Sequence, residues 1–221
     1  MARIEQYVRP YMLYRYRSAT ELERELKAIE QGYLFCASYD DLNDPMEGLF
    51  SSTRRLRETE RYRAIRTEIR ENKAQIGICS FSEVHDHELM WAHYADQFSG
   101  ICIGYNFSKL LSHLPGDVSF VRMYYNEKVP LVRQRDADPS DLARMILSYK
   151  NHRWLYEREW RMFARLGKAR YCDTSCVTRV YLGSRITTDH RVQITERMNK
   201  IKIPIHEMSI DKYSLTFERC C

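Results

Sequence analysis

The chain has 221 residues, enough for a sizeable core in one domain and no second domain of equal rank. Its 35 Lys/Arg against 30 Asp/Glu give a modestly basic net charge of +5. No apolar run is long enough for a helix to span a bilayer, and with ordinary hydrophobic content and high charge a soluble globular protein is expected. Glycine and proline are sparse, and no linker, low-complexity segment or internal repeat interrupts residues 1–221, which read as a single domain.

The opening Met1-Ala-Arg-Ile-Glu-Gln carries no apolar signal core, so a cytoplasmic protein is expected. Tyr11 to Arg17 is rich in aromatic residues and reads as a strand covered on both faces. Thr20 is an N-cap, with Glu21 and Glu23 in the first turn of a helix whose stripe is Leu22, Leu26 and Ile29. Gly32 closes that helix, and Tyr33 to Ala37 is a buried strand.

Tyr39 to Gly48 is dense in Asp, Asn and Pro and reads as a turn-rich loop in which Asn43 and Asp44 bond their own backbone. A basic helix comes next, roughly residues 52–75. From Arg54 to Lys73 it carries eight Lys/Arg and four Glu. That excess attracts polyanions, and Arg54, Arg55, Arg57 and Arg61 are the candidate nucleic-acid contacts. The alternative is a solvated helix laced with i,i+4 ion pairs.

Ile76 to Ser82 is an apolar strand ending in hydroxyls, and Ser82 either faces a ligand or caps the next helix. A helix is expected over His87 to Asp96, and a buried strand between Gly100 and Tyr105. Further strands are expected at residues 118–125, 177–183, 203–205 and 213–218, and helices from Asp138 to about Lys150 and from 187 to 200. Strands and helices mix without regular βα alternation, which makes the fold class α+β.

The seven cysteines are an odd, scattered set. Cys36, Cys79 and Cys102 lie in apolar strands and read as core thiols of a reducing compartment. Cys172-x3-Cys176 together with Cys220-Cys221 is the one zinc-like grouping, but adjacent cysteines are a poor ligand pair, and His87 and His93 fall on different helix faces. No metal is expected. Neither the dinucleotide loop nor the P-loop spacing occurs.

Trp154 to Arg161 carries the strongest chemical signal. Read as a strand, it sends Glu157, Glu159 and Arg161 one way and Tyr156, Arg158 and Trp160 the other. Two carboxylates side by side raise each other's cost of ionising unless a cation is near, and Arg161 is placed to be that cation. One reading is a solvated edge strand with a salt ladder. The other is a carboxylate pair in a cleft flanked by rings.

Six segments stand out together: Leu13-Tyr14-Arg15-Tyr16, Leu42-Asn43-Asp44-Pro45-x-Glu47, Ser80-Phe81-Ser82, Met90-Trp91-x-His93-Tyr94-Ala95, Gly100 to Tyr105, and Tyr156-Glu157-x-Glu159-Trp160-Arg161. In this order they resemble a bacterial family known as domain-of-unknown-function family 2971. The order Arg15, Ser80-Phe81-Ser82, Glu157-Arg158-Glu159 also resembles ADP-ribosyltransferases of the Arg–Ser–Glu type. The middle residue of the serine motif departs from that pattern, being Phe81 rather than Thr.

That second resemblance implies an α+β, ADP-ribosyltransferase-like split β-sheet core with flanking helices, and NAD as substrate without a metal. Glu159 would stabilise the oxocarbenium-like state, Glu157 would orient or deprotonate the acceptor, and Arg15 would hold the pyrophosphate or ribose. Tyr14, Arg15, Tyr16, Ser80, Phe81, Ser82, Trp91 and Tyr94 would line the NAD site. The implied setting is a bacterial toxin or anti-phage effector acting on a macromolecule, RNA or DNA before protein, with a neutralising antitoxin as partner and no membrane. Two readings stand beside it. One is a nuclease or nucleic-acid-binding effector using Asp44, Glu47, Glu157 and Glu159 for a divalent ion. The other is a non-catalytic binding module.

Overall fold

The computed structural model describes residues 9–133 and 138–220. In chain order the first elements are β1 (Met12–Arg17), α1 (Leu22–Glu30), β2 (Tyr33–Cys36), β3 (Ser51–Ser52), α2 (Arg54–Arg57) and α3 (Tyr62–Gln75). Next come β4 (Ile76–Ser82), α4 (Glu88–Tyr94), β5 (Ile101–Asn106), α5 (Phe107–His113), β6 (Ser119–Arg122), β7 (Tyr124–Asn126) and β8 (Leu131–Val132). The rest are α6 (Pro139–Ile146), β9 (Tyr149–Asn151), β10 (Glu159–Arg165), β11 (Gly167–Arg170), β12 (Val177–Leu182), α7 (Thr188–Lys200), β13 (Ile205–Asp211) and β14 (Ser214–Arg219). Helices and strands are interspersed as the α+β reading expects.

The chain forms two compact units, each assembled from separate stretches. The first comprises Met1–Gly32, Ser82–His113 and Tyr171–Cys221, and the second Tyr33–Phe81 and Leu114–Arg170.

In the first unit β14, β13, β12, β5 and β1 lie side by side in that order. Ile101 to Tyr105 of β5 are all buried, as a strand with neighbours on both edges and cover on both faces requires. β12 and β13 run parallel because α7 makes the crossover between them, while the other pairs are antiparallel. Ser82, the last residue of β4, pairs with Tyr14. Helix α1 buries Leu22, Leu26 and Ile29, and Arg197 of α7 forks onto Glu30 at 2.7 and 2.6 Å. Gly32 ends α1 at φ +61, and a Cβ there would stand 2.9 Å from the Cys172 backbone, so only glycine fits.

In the second unit β4, β10 and β6 are neighbours, with β10 and β6 antiparallel. β2 and β11 form a ribbon, and β3–β8 and β7–β9 are short parallel pairs. Leu56, Ile69, Val132, Leu142 and Ile146 form one core cluster, and Ile78, Leu147 and Phe163 another.

Several local expectations change in this unit. The basic segment is not one helix over 52–75. α2 and α3 are separated because the Thr59 hydroxyl bonds back to the Leu56 carbonyl at 2.7 Å. The strand expected over 118–125 breaks at Met123, whose neighbour Tyr124 takes the Ser148 carbonyl at 2.8 Å and so changes partner. The helix from Asp138 ends at Ile146, and Lys150, expected at its end, lies in β9 opposite Tyr125.

The largest change is at Trp154 to Arg161, which is not a continuous strand. His152–Glu157 is a 3₁₀ helix capped by Asn151, whose side chain accepts from the Arg153 N–H. Arg158 then reverses the backbone at φ +46, and the strand starts at Glu159. The carboxylates of Glu157 and Glu159 therefore do not share a face by strand alternation. They share a cation.

Candidate functional site

The second unit holds a buried group of five charged side chains, Glu47, Lys150, Glu157, Glu159 and Arg161. The Lys150 ammonium sits 2.5 Å from Glu157 Oε2, 3.0 Å from Glu159 Oε2 and 3.3 Å from Glu47 Oε1. Arg161 donates from Nε to Glu159 Oε1 at 3.0 Å, from Nη2 to Glu47 Oε2 at 2.6 Å, and from Nη1 to the Leu147 carbonyl at 2.7 Å. The Trp154 ring lies 5.3 Å from the ammonium, close enough for a cation–π contact. Tyr125 accepts the Glu159 backbone N–H at 2.8 Å.

Local sequence explains the assembly. Turns after Asp44, whose Oδ1 accepts the Met46 N–H at 2.8 Å, bring Glu47 inward. The parallel pairing of β7 and β9 sets Tyr125 opposite Lys150. Glu159 and Arg161 are two apart on β10 and face the same way.

Burial alone would drive Glu159 toward neutrality. The Arg161 guanidinium and Lys150 ammonium outweigh it and, with hydrogen bonds from Ser80 and Lys150, hold its pKa down at about 2. Lys150 and Arg161 are both raised: burial opposes their charge, and the carboxylates around each overcome it. Three carboxylates against two cations leave these five side chains with a formal charge of −1. The carboxylates converge on a point that the Lys150 ammonium already fills, so a divalent ion there would have to displace it.

A cleft of about 200 Å³ opens on this group. Asp44, Glu47, Asn126, Lys150 and Asn151 line it, while Glu157 and Glu159 do not. That is below the roughly 300–1,000 Å³ that encloses a drug-sized ligand, and it holds only part of a dinucleotide. Ser80, near the end of β4, is exposed and contributes to keeping Glu159 ionised.

The expected site residues fall in both units. Glu157 and Glu159 are both 3 % exposed, which removes the solvated-ladder reading. Ser80 joins them, and Phe81 is buried 5.8 Å from the Phe120 ring. Arg54, Arg55, Arg57 and Arg61 are exposed, and Arg54 pairs with Glu58 at 2.8 Å.

The other expected residues belong to the first unit. Arg15 is buried there, 3.9 Å from Glu25. Ser82 is buried and accepts the Val84 N–H at 3.1 Å, capping a turn, while α4 is capped by His87. Tyr14 packs on His85 at 4.9 Å between ring centroids. Tyr16 donates to the Val84 carbonyl and meets Trp91 edge-on at 5.3 Å. Trp91 is fully buried and donates to the His85 carbonyl at 2.7 Å. Tyr94 is half-buried beside His93.

Sequence reasoning missed Lys150 and Tyr125, and gave Glu47 only to a metal reading. The available signal was charge balance. Four acids, Asp44, Glu47, Glu157 and Glu159, in apolar and aromatic surroundings need more than Arg161 to be buried, and Tyr149-Lys150-Asn151 offered the second cation.

The family model described as "Protein of unknown function (DUF2971)" matches residues 90–162. The chain resembles that family over this stretch, which contains Lys150, Glu157, Glu159 and Arg161. No curated protein and no solved structure matches the chain.

Proposed function

We propose that the protein is an ADP-ribosyltransferase that moves ADP-ribose from NAD to a macromolecular acceptor. The observation that carries this reading is the ionised Glu159 carboxylate, held by Arg161 and Lys150 in one buried group with Glu157. Cleavage of the nicotinamide–ribose bond sends its electron pair to nicotinamide and leaves positive charge on the anomeric carbon. An ionised Glu159, held so by Arg161 and Lys150, is the group that stabilises such charge. The acceptor atom then bonds that carbon, and Glu157 takes its proton.

The exposed Arg54, Arg55, Arg57 and Arg61 favour RNA or DNA as acceptor. The setting proposed with it is a cytoplasmic bacterial toxin or anti-phage effector with a neutralising partner. Among the described residues no helix is long and apolar enough to cross a membrane.

One observation favours a non-catalytic module instead. Both Glu159 oxygens bond Arg161 or Lys150, as a purely structural pair would. The two readings separate when the protein is incubated with labelled NAD and a cell lysate, then fractionated into protein, RNA and DNA. Label in one fraction, absent with Glu159→Gln at equal folded content, supports transfer and identifies the acceptor class. Intact NAD throughout, with folded protein, sinks the transferase. Free ADP-ribose with no labelled polymer converts it to a hydrolase.

A further inference from the structure

The first unit contains a group that neither the family resemblance nor the proposed reaction uses. The ligand-type atoms of His113, Asp173 and Cys176 all lie within 4.8 Å of one another. His113 ends α5, and the other two flank a single 3₁₀ turn, Thr174–Cys176, with Asp173 as its N-cap. Residues three apart on a 3₁₀ turn eclipse, which puts the Asp173 carboxylate and Cys176 thiol along one edge.

Two of the three donors, His113 and Asp173, are oriented by neighbours. His113 Nδ1 is 2.9 Å from the Lys109 carbonyl, and with its N–H donated there, Nε2 keeps the lone pair. Nε2 is 3.5 Å from Asp173 Oδ2. The carboxylate is fixed by the Ser175 N–H at 2.9 Å and the Ser175 hydroxyl at 2.7 Å, and the Lys109 ammonium holds that hydroxyl at 2.8 Å. Cys176 is fully buried, whereas His113 is exposed and Asp173 half-buried, so the group opens to solvent on one side.

We propose that His113 Nε2, an Asp173 carboxylate oxygen and Cys176 Sγ form a binding site for a zinc-class divalent cation, with the fourth position open to water. Bonds of about 2.0–2.3 Å in tetrahedral geometry separate ligand atoms by roughly 3.4–3.8 Å, so closing the site takes about 1 Å of side-chain rotation. A thiolate with one imidazole selects zinc, cobalt(II) or cadmium over magnesium or calcium. On binding, the Cys176 thiol proton passes to buffer, and the thiolate and carboxylate balance the metal charge.

A Cys–His nucleophile pair does not fit the same atoms. Nδ1 is taken by a backbone carbonyl, and the single free nitrogen faces both Asp173 and Cys176, an arrangement of convergent ligands and not of a relay. The zinc-like grouping read from sequence keeps Cys176 alone. Cys172 is exposed at φ +57 with its N–H on the Gly32 carbonyl, and Cys221 lies outside the described residues. Residues 114–170 leave the first unit directly after His113 and return at Tyr171. A metal bridging His113 to Asp173 and Cys176 therefore pins the points where that insertion leaves and rejoins this unit.

The test is titration of the metal-free, full-length chain with cobalt(II), then competition with zinc. One equivalent of cobalt should bind with a near-ultraviolet thiolate charge-transfer band and tetrahedral visible absorption, and zinc should abolish both. Cys172→Ser should behave as wild type. His113→Ala, an exposed substitution, should lose at least tenfold in affinity, and Cys176→Ser should lose the thiolate band. No thiolate band in wild type, or wild-type affinity in His113→Ala, overturns the proposal. So does a band kept in Cys176→Ser and lost in Cys172→Ser. If Cys176→Ser does not fold, His113→Ala decides.

Discussion

Arg161 grips Glu159 with two nitrogens, Nε on Oε1 at 3.0 Å and Nη2 on Oε2 at 3.1 Å, and both side chains are buried. Its third nitrogen satisfies the Leu147 carbonyl, and the same Nη2 reaches Glu47. Removing one member of such a group leaves an uncompensated buried charge. Arg161→Met should therefore destabilise the protein by about 3 kcal/mol or more. For a chain of this size that lowers Tm by roughly 6–12 °C. Arg161→Lys should recover little, because an ammonium cannot replace the fork. Thermal unfolding checks both, and a wild-type Tm in Arg161→Met would show the group carries no structural load.

Lys150 is the shared cation for Glu157 and Glu159, so its effect should depend on them. Lys150→Met leaves three carboxylates facing one guanidinium. Adding Glu157→Gln relieves part of that repulsion, so the double variant should be less destabilised than the two single losses added together. A coupling of about 1 kcal/mol or more is expected from urea unfolding of the four-protein cycle. Strict additivity would mean the 2.5 Å contact contributes nothing beyond its parts.

How far the sequence could show this group depends on how local each cause is. Amphipathic stripes and apolar runs act within a few residues, and they place β1, α1, β4, β5 and α7 within a residue or two of their observed bounds, although the cap expected at Thr20 falls to Ser18, whose hydroxyl accepts the Thr20 N–H at 3.2 Å before a 3₁₀ turn. The pair Glu159–Arg161 is also local, two apart on a strand, and was legible. Lys150 was not, because its partners come from residue 47 and from beyond a 3₁₀ turn that the sequence pattern conceals. Glu157 was assigned to a strand face by alternation, but Arg158 at φ +46 interrupts the alternation. The two-unit arrangement was hidden for a related reason. Its boundaries fall at Gly32, Phe81, His113 and Arg170, none of them in a linker of distinctive composition.

The depressed Glu159 sets a pH dependence whose sign can be worked out. Its pKa is about 2 folded against an ordinary 4.5, so between these values the unfolded chain binds more protons. Stability from this group is fully present above about pH 4.5 and is lost as pH falls toward 2. Glu25, also buried and depressed despite its burial by Arg15 and Arg17, adds in the same direction. Lys150 is raised above its ordinary 10.5, so its contribution is full below that pH and lost as pH climbs beyond. Urea unfolding across pH should show a plateau in between. Glu159→Gln, though less stable throughout, should have a shallower acid limb. An unchanged acid slope would place the linkage elsewhere.

The exposed arginines make a separate, salt-readable prediction. If Arg54, Arg55, Arg57 and Arg61 contact phosphates, binding to single-stranded RNA should weaken linearly with log salt. Each Arg→Ala change should then lower affinity about equally for all sequences and reduce the slope by about 1. Arg54 is the instructive case, since its pairing with Glu58 at 2.8 Å competes with a phosphate. A salt slope that none of the four substitutions moves would leave these side chains as a solvated face.

The transferase reading stands on Ser80, Glu157 and Glu159 having different jobs, so their variants should fail differently. Ser80→Ala removes one hydrogen bond from an exposed hydroxyl and leaves both cations on Glu159. Because the hydroxyl is exposed, the stability loss should stay below the roughly 1.5–3 kcal/mol of a buried bond to a charged group, while NAD turnover should fall roughly tenfold or more. Glu159→Gln removes the charge that faces the developing cation and should lower turnover by roughly 10²–10³-fold or more. Glu157→Gln removes the proposed acceptor base. Transfer to polymer should fall by roughly 10²-fold or more while hydrolysis to free ADP-ribose falls less, because water needs less positioning than a macromolecular hydroxyl or amine. Measuring both products for the three variants, beside their unfolding curves, separates chemistry from stability. Parallel losses of both products that track unfolding alone would return Glu157 and Glu159 to a structural role.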